Sequence, residues 1–269
     1  MSASRRRVPD DAWLELWRVD LAAEGTDADV GLLSAAERNR AERFVVPAPR
    51  RQFVRTRAAL RRILARRLGC APGAVKLVTG EHGKPSLPGG TLSFNVSHSA
   101  DIALVVVGAA CWGGRLGIDV ERAAPERRLE RLARRFFAED EAAFFLAAPP
   151  GRQTDIFYRL WTLKEAYLKS WGTGLTFSSR RFSVALAEAG RSEGGPPGQP
   201  AGPRLLRTEM PGDRPQAWSF VELDVGAHYR AALCLPSLRG TLDSRPEPYL
   251  DEEATRLRDA TDLAPPDQR

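Results

Sequence analysis

Two stretches, residues 50–68 and 154–171, set apolar residues at helical spacing along one face and polar residues along the other, and each lies among short strand-like runs. A helix and a small sheet each have an apolar face to bury, so two such sets predict two halves of mixed α+β order, divided near residue 115. In the first half, residues 13–21 alternate loosely as an opening strand. Ser34 with Glu37 three positions on forms a capping-box pattern, and Pro47 and Pro49 are expected to break the helix that follows. Phe53, Leu60, Ile63, Leu64 and Leu68 mark the apolar face of the long helix. Residues 79–90 are turn-rich; a short strand ending near Ser97 and a buried strand over 102–108 follow. The second half opens with the strand-like RLGIDVER. It continues with helical patterns over 126–148 and 154–171 and strands around FSVAL, WSFVELDV and YRAALCL. The domains so drawn are residues 1–115, residues 116–240 with a flexible insertion at 190–202, and an acidic, proline-punctuated tail over 241–269. The tail is expected to be poorly ordered, with room for one short helix.

Composition excludes several classes. No run approaches the ~20 apolar residues of a membrane span, and the basic Arg5, Arg6 and Arg7 are followed by Pro9, Asp10, Asp11 and Glu15 where a signal peptide needs an apolar stretch. Three scattered cysteines (Cys70, Cys111, Cys234) fit reduced thiols in a cytoplasm better than a disulfide framework. The three histidines (His82, His98, His228) pair with nothing at zinc-ligand spacing, so any metal should be hard and oxygen-bound.

Charge is uneven. Between Arg38 and Arg67 stand eleven arginines against one acid, Glu42. Such a run is a solvated helix face, a phosphate site or a nucleic-acid surface, and composition does not choose. Lysine is scarce by contrast, at Lys76, Lys84, Lys164 and Lys169 only.

Three segments carry potential chemistry. In GIDVE the two-residue strand period puts Asp119 and Glu121 on one face and Ile118 and Val120 toward the core. Two like charges side by side need a cation or a base between them, although a lone DxE is equally an exposed strand face. In YRLWTLKEAYLKSWGTGL, Ile156, Leu160, Leu163 and Tyr167 form the apolar face of a helix. Trp161, Glu165 and Lys169 align on the other face, where Glu165 and Lys169 could be an ordinary surface pair. Trp161 argues against bare solvent there, and GTGL ends the helix. In NVSHS, His98 follows a strand end between Ser97 and Ser99. Adjacent residues on an extended chain point apart and no GxSxG elbow is present, so His98 suits an anion donor or a turn histidine better than a hydrolase base.

In this order and spacing, GKP (83–85), FNVSHS (94–99), GIDVE (117–121), RFFAEDE (135–141) and LWTLKEAYLK (160–169) with GTGL (172–175) resemble the surfactin-type (Sfp-like) 4'-phosphopantetheinyl transferase family over roughly residues 30–190. The resemblance implies a fold of two tandem, pseudo-twofold α+β subdomains, each a small, mainly antiparallel sheet packed with a long helix, with the active site at their interface. It implies an Mg²⁺-dependent enzyme, Mn²⁺ being a possible substitute, that moves the phosphopantetheine arm of coenzyme A onto a serine of an acidic apo carrier protein and releases adenosine 3',5'-bisphosphate. The implied metal ligands are Asp119, Glu121 and Glu165. Glu165 is the implied base, with Lys169 and His98 as phosphate donors. Arg40, Arg51, Lys84, Ser97, His98, Lys164 and Lys169 would hold coenzyme A. Glu37 falls where a family member can carry a base, and Arg43, Arg50 and Arg57 compete for the 3'-phosphate clamp. Glu141 is either ligand-adjacent or a helix-surface acid. A monomer is expected, since the second half completes the cleft, with no membrane and no nucleic acid. The alternatives are an arginine-rich nucleic-acid-binding protein and an inactive coenzyme A-binding homologue.

Overall fold

The computed structural model describes residues 13–22, 26–80, 82–125, 128–186, 202–237 and 257–259. In chain order its elements are β1 (Leu14–Asp20), α1 (Asp27–Gly31), α2 (Ala35–Glu42), α3 (Pro47–Leu68), β2 (Val78–Thr79), β3 (Pro85–Ser86), β4 (Leu92–Ser99), β5 (Ile102–Ala109) and β6 (Gly117–Arg122). There follow α4 (Leu129–Phe136), α5 (Glu139–Ala147), α6 (Pro150–Trp171), β7 (Phe182–Ala185), β8 (Arg204–Thr208), β9 (Trp218–Leu223), β10 (Tyr229–Pro236) and β11 (Leu257–Asp259).

The first sheet runs β11-β1-β5-β4 and the second β6-β10-β9. All pairings in both are antiparallel except that of β11 with β1. One face of the first sheet packs on α3 through Trp17, Val19, Leu60, Ile63, Leu64 and Val105. One face of the second packs on α6 through Leu163, Tyr167, Phe220 and Cys234. The remaining faces share a core of Leu16, Leu104, Val106, Ile118, Val120 and Leu233. Strand β5, buried along its whole length, therefore reads as an unbroken apolar run. The fold is the expected α+β pair of sheet-and-helix units, with the long helices on the outside.

Several local expectations are corrected. Pro47 and Pro49 do not merely stop a helix. They open α3, where a fixed φ and a missing N–H suit the first turn. The single helix expected over 126–148 is two, because extended Phe137 and Ala138 are buried between α4 and α5 and the Glu141 carboxylate accepts from the Ala138 N–H at 2.8 Å. Of the tail, residues 257–259 form β11 beside β1, with Arg258 3.2 Å from Glu15. The rest of the tail and nearly all of the 190–202 insertion lie outside the described residues.

Two sheet edges then meet. Strand β4 ends the first sheet and β6 the second, and they are joined through side chains rather than a backbone ladder. Every second residue of β4 takes part. Ser93 Oγ accepts from Gly114 N (2.9 Å), Asn95 Oδ1 from Ile118 N (2.9 Å), Ser97 Oγ donates to Asp119 (2.8 Å) and Ser99 Oγ to Glu121 (2.8 Å).

Candidate active site

The seam between β4 and β6, flanked by α6, gathers most of the expected residues. Alternation along β6 sends Ile118 and Val120 into the shared core and Asp119 and Glu121 to the opposite face. Asp119 is buried. Its Oδ1 accepts from Lys169 Nζ at 2.6 Å and from Ser97, while Oδ2 is buried with no partner. Lys169 Nζ also reaches Ser97 Oγ at 2.7 Å. Glu121 accepts from Ser99 Oγ at 2.8 Å, and the nearby Trp161 indole favours its charged form. Trp161 itself stacks on Phe157 at 5.7 Å, which accounts for an aromatic on the polar side of the helix.

The approach of β6 to α6 depends on glycine. A Cβ on Gly117 would fall 1.9 Å from the Ala166 carbonyl oxygen and 2.6 Å from Ser170 N, so only hydrogen lets the strand lie on the helix. That closeness puts Glu165 within the field of both other carboxylates. Burial, Asp119 and Glu121 together push its carboxyl up to about 7, with Lys169 opposing. Glu121 is raised by burial and by Asp119. Among the described residues, no three His, Cys, Asp or Glu side chains are grouped as a formed metal site. The donor set is nevertheless all oxygen, the kind a hard cation takes: Asp119 keeps one buried oxygen without a partner, and Glu121 and Glu165 are raised by burial and then by neighbouring carboxylates.

His98 belongs to β4 itself rather than to the turn beyond it, and is exposed. Its imidazole is held below the usual value by desolvation, by Lys169 and by Arg57. Arg57 of α3 thus couples to the seam through its charge. It and Arg40 share the Phe53 ring, at 5.6 and 5.1 Å. Arg40 also lines a cleft of about 630 Å³ with Ala36, Asn39, Arg43 and Phe44, which none of the carboxylates borders. Arg51 is half-buried on α3. Much of the basic run serves the fold instead. Arg61 pairs with Glu37 at 2.7 Å, Arg62 with Asp29 at 2.7 Å, and Arg67 with Glu15. Glu37 therefore caps α2 and anchors Arg61.

Three expected ligand contacts are occupied otherwise. Lys164 is buried, its ammonium held by Glu141 at 2.6 and 2.8 Å and by the Phe182 carbonyl at 2.9 Å. This resolves Glu141 as its buried counter-ion. Ser97 is buried with its hydroxyl taken by Asp119 and Lys169. Lys84 Nζ is enclosed by backbone carbonyls. Sequence reasoning missed the structural parts of Ser93, Asn95 and Ser99. The signal was present, because polar residues recur at every second position of SFNVSHS, the period of a strand with a polar face.

Comparison with known proteins shows the family. Residues 115–234 match the profile of the 4'-phosphopantetheinyl transferase superfamily, and residues 37–108 that of the 4'-phosphopantetheinyl transferase N-terminal domain. The 4'-phosphopantetheinyl transferase HetI of Nostoc is 36% identical over 216 residues, covering 78% of this chain and 82% of that protein. The 4'-phosphopantetheinyl transferase Sfp of Bacillus subtilis is 30% identical over 172 residues, 64% of this chain and 74% of that one. AcpT of Salmonella typhi, also a 4'-phosphopantetheinyl transferase, is 38% identical over 111 residues, 41% and 55% of the two chains. The chain belongs to the 4'-phosphopantetheinyl transferase family, of the Sfp-like type.

Proposed function

We infer that this protein transfers the phosphopantetheine arm of coenzyme A to a serine of an apo carrier protein, with Asp119, Glu121 and Glu165 holding a divalent cation, Mg²⁺ or Mn²⁺. The observation that supports the site assignment is the buried Asp119 oxygen left without a partner beside Lys169, with Glu121 and Glu165 both raised by burial and by the charge of Asp119. When bound, the cation neutralises pyrophosphate charge and removes the repulsion among the acids. The chain's own residues do the rest. A serine hydroxyl is a poor nucleophile, and Glu165, whose carboxyl is raised by burial and by its acidic neighbours in the metal-free protein, is the group to take its proton. The serine oxygen forms a bond to the β-phosphorus as the bond from that phosphorus to the bridging oxygen breaks, and adenosine 3',5'-bisphosphate leaves. Negative charge on the phosphate oxygens is met by Lys169 and, once an anion draws a proton onto it, by His98. Arg57 and Arg40, crowded on one ring, supply forks for the 3'-phosphate. Arg51 lies on α3 with Arg57.

The carrier is acidic, complementing a chain of net charge +6, and the enzyme acts as a monomer in the cytoplasm. The test is incubation with coenzyme A, Mg²⁺ and an apo carrier, read as a mass gain on the carrier. Glu165→Gln should abolish the gain without unfolding the protein, and retained transfer would remove Glu165 as the base.

A further inference from the structure

Lys84 sits in the turn joining β2 to β3, yet its ammonium reaches out of that hairpin to four backbone carbonyls. Nζ lies 2.7 Å from Gly114 O, 3.1 Å from Leu116 O, 2.7 Å from Lys169 O and 3.2 Å from Ser170 O. An ammonium has three protons, so four carbonyl acceptors use every donor. Two of the carbonyls belong to the last turn of α6, which has no later helical N–H groups to satisfy them and carries the negative end of the helix dipole. The other two belong to the connection between the sheets. Gly172, left-handed at φ +71, ends α6 directly under the lysine stem, and a Cβ there would come to 3.2 Å from Lys84 Cδ. Burial has driven the ammonium down to about 8, with Arg115 adding repulsion.

We propose that Lys84 is a positioning residue, a clip from the first half that caps α6, ties it to the inter-sheet connection and thereby sets the backbone from which Lys169 reaches Asp119. It does not touch coenzyme A through its side chain. The proposal rests on the transferase reading for its effect on rate, while its structural content stands on the four carbonyl contacts.

The test uses the full chain with Lys84→Met, which keeps the stem and removes the donors, and Lys84→Arg, which keeps the charge but has a planar fork unable to converge on four carbonyls. For both, kcat for transfer should fall by about tenfold or more while the KM for coenzyme A stays within about twofold, the signature of a misplaced catalytic group rather than a lost ligand contact. Amide hydrogen exchange should quicken at residues 114–117 and 169–173. A KM raised about tenfold with kcat kept, or unchanged kcat together with unchanged exchange, overturns the proposal. If Lys84→Met does not fold, the same criteria apply to Lys84→Arg. Absence of transfer by the unaltered protein would refute the transferase reading instead, and the exchange measurement alone would then decide the clip.

Discussion

Glu165 shows at the scale of one residue how function and stability oppose each other. Its carboxyl titrates at about 7 rather than near 4.5 because burial and two neighbouring acids disfavour the ionised form. From about pH 4.5 to 7 the folded state holds a proton that the unfolded state has released, so this group's contribution to stability falls as pH rises through that window. Glu165→Gln should therefore melt higher than the native protein at pH 8, by an amount equivalent to about 1–3 kcal/mol, and should lose that advantage near pH 4.5. Thermal melts at the two values measure it, and a gain independent of pH would show that the ionisation of a carboxyl raised by burial and by its neighbours is not the cause. The same proton competes with a cation. Mg²⁺ should bind about tenfold more weakly at pH 6 than at pH 8, as read by calorimetry without coenzyme A.

Among elements, the contact of β6 with α6 decides whether a site exists. Gly117→Ala forces a methyl into the Ala166 carbonyl, so strand or helix must shift, costing about 1–3 kcal/mol. Transfer should drop more than that stability loss explains, because Asp119 and Lys169 move apart; denaturant unfolding beside the transfer assay separates the two effects. On the far side of α6, Lys164 and Glu141 lock the helix to α5 and β7. Lys164→Ala should cost about 3–5 kcal/mol by stranding a buried carboxylate, and Lys164→Met combined with Glu141→Gln should cost less than the two single changes summed. Urea titrations of Lys164→Ala, of Lys164→Met and Glu141→Gln singly, and of the double variant check this. The orientation of Asp119 and Glu121 was legible from a two-residue period, and the inward face of Ile156, Leu160, Leu163 and Tyr167 from a helical one. The burial of Lys164 was not, because its partner lies on another helix and no local pattern announces a contact 23 residues away.

Over the whole molecule, the net charge of +6 should speed capture of an acidic carrier, so the transfer rate at low carrier concentration should fall steadily as salt is raised. A rate flat in ionic strength would dismiss electrostatic steering. Part of the arginine run is neutralised locally, since Arg61, Arg62 and Arg67 are paired with Glu37, Asp29 and Glu15. What the amino-acid order determined by itself is periodic: strand faces, helix faces, the capping box at Ser34, and the motif spacing that marks the family. Tertiary structure alone decided which of the motif's polar groups meet one another. It turned Lys164 inward onto Glu141, set Lys84 across the inter-sheet connection, and lined Ser93, Asn95, Ser97 and Ser99 along the seam with β6. The reason is range. Periodicity reports how a residue sits on its own element, whereas the partner of a buried polar group is chosen by whichever distant carbonyl or carboxylate the packing brings within about 3 Å.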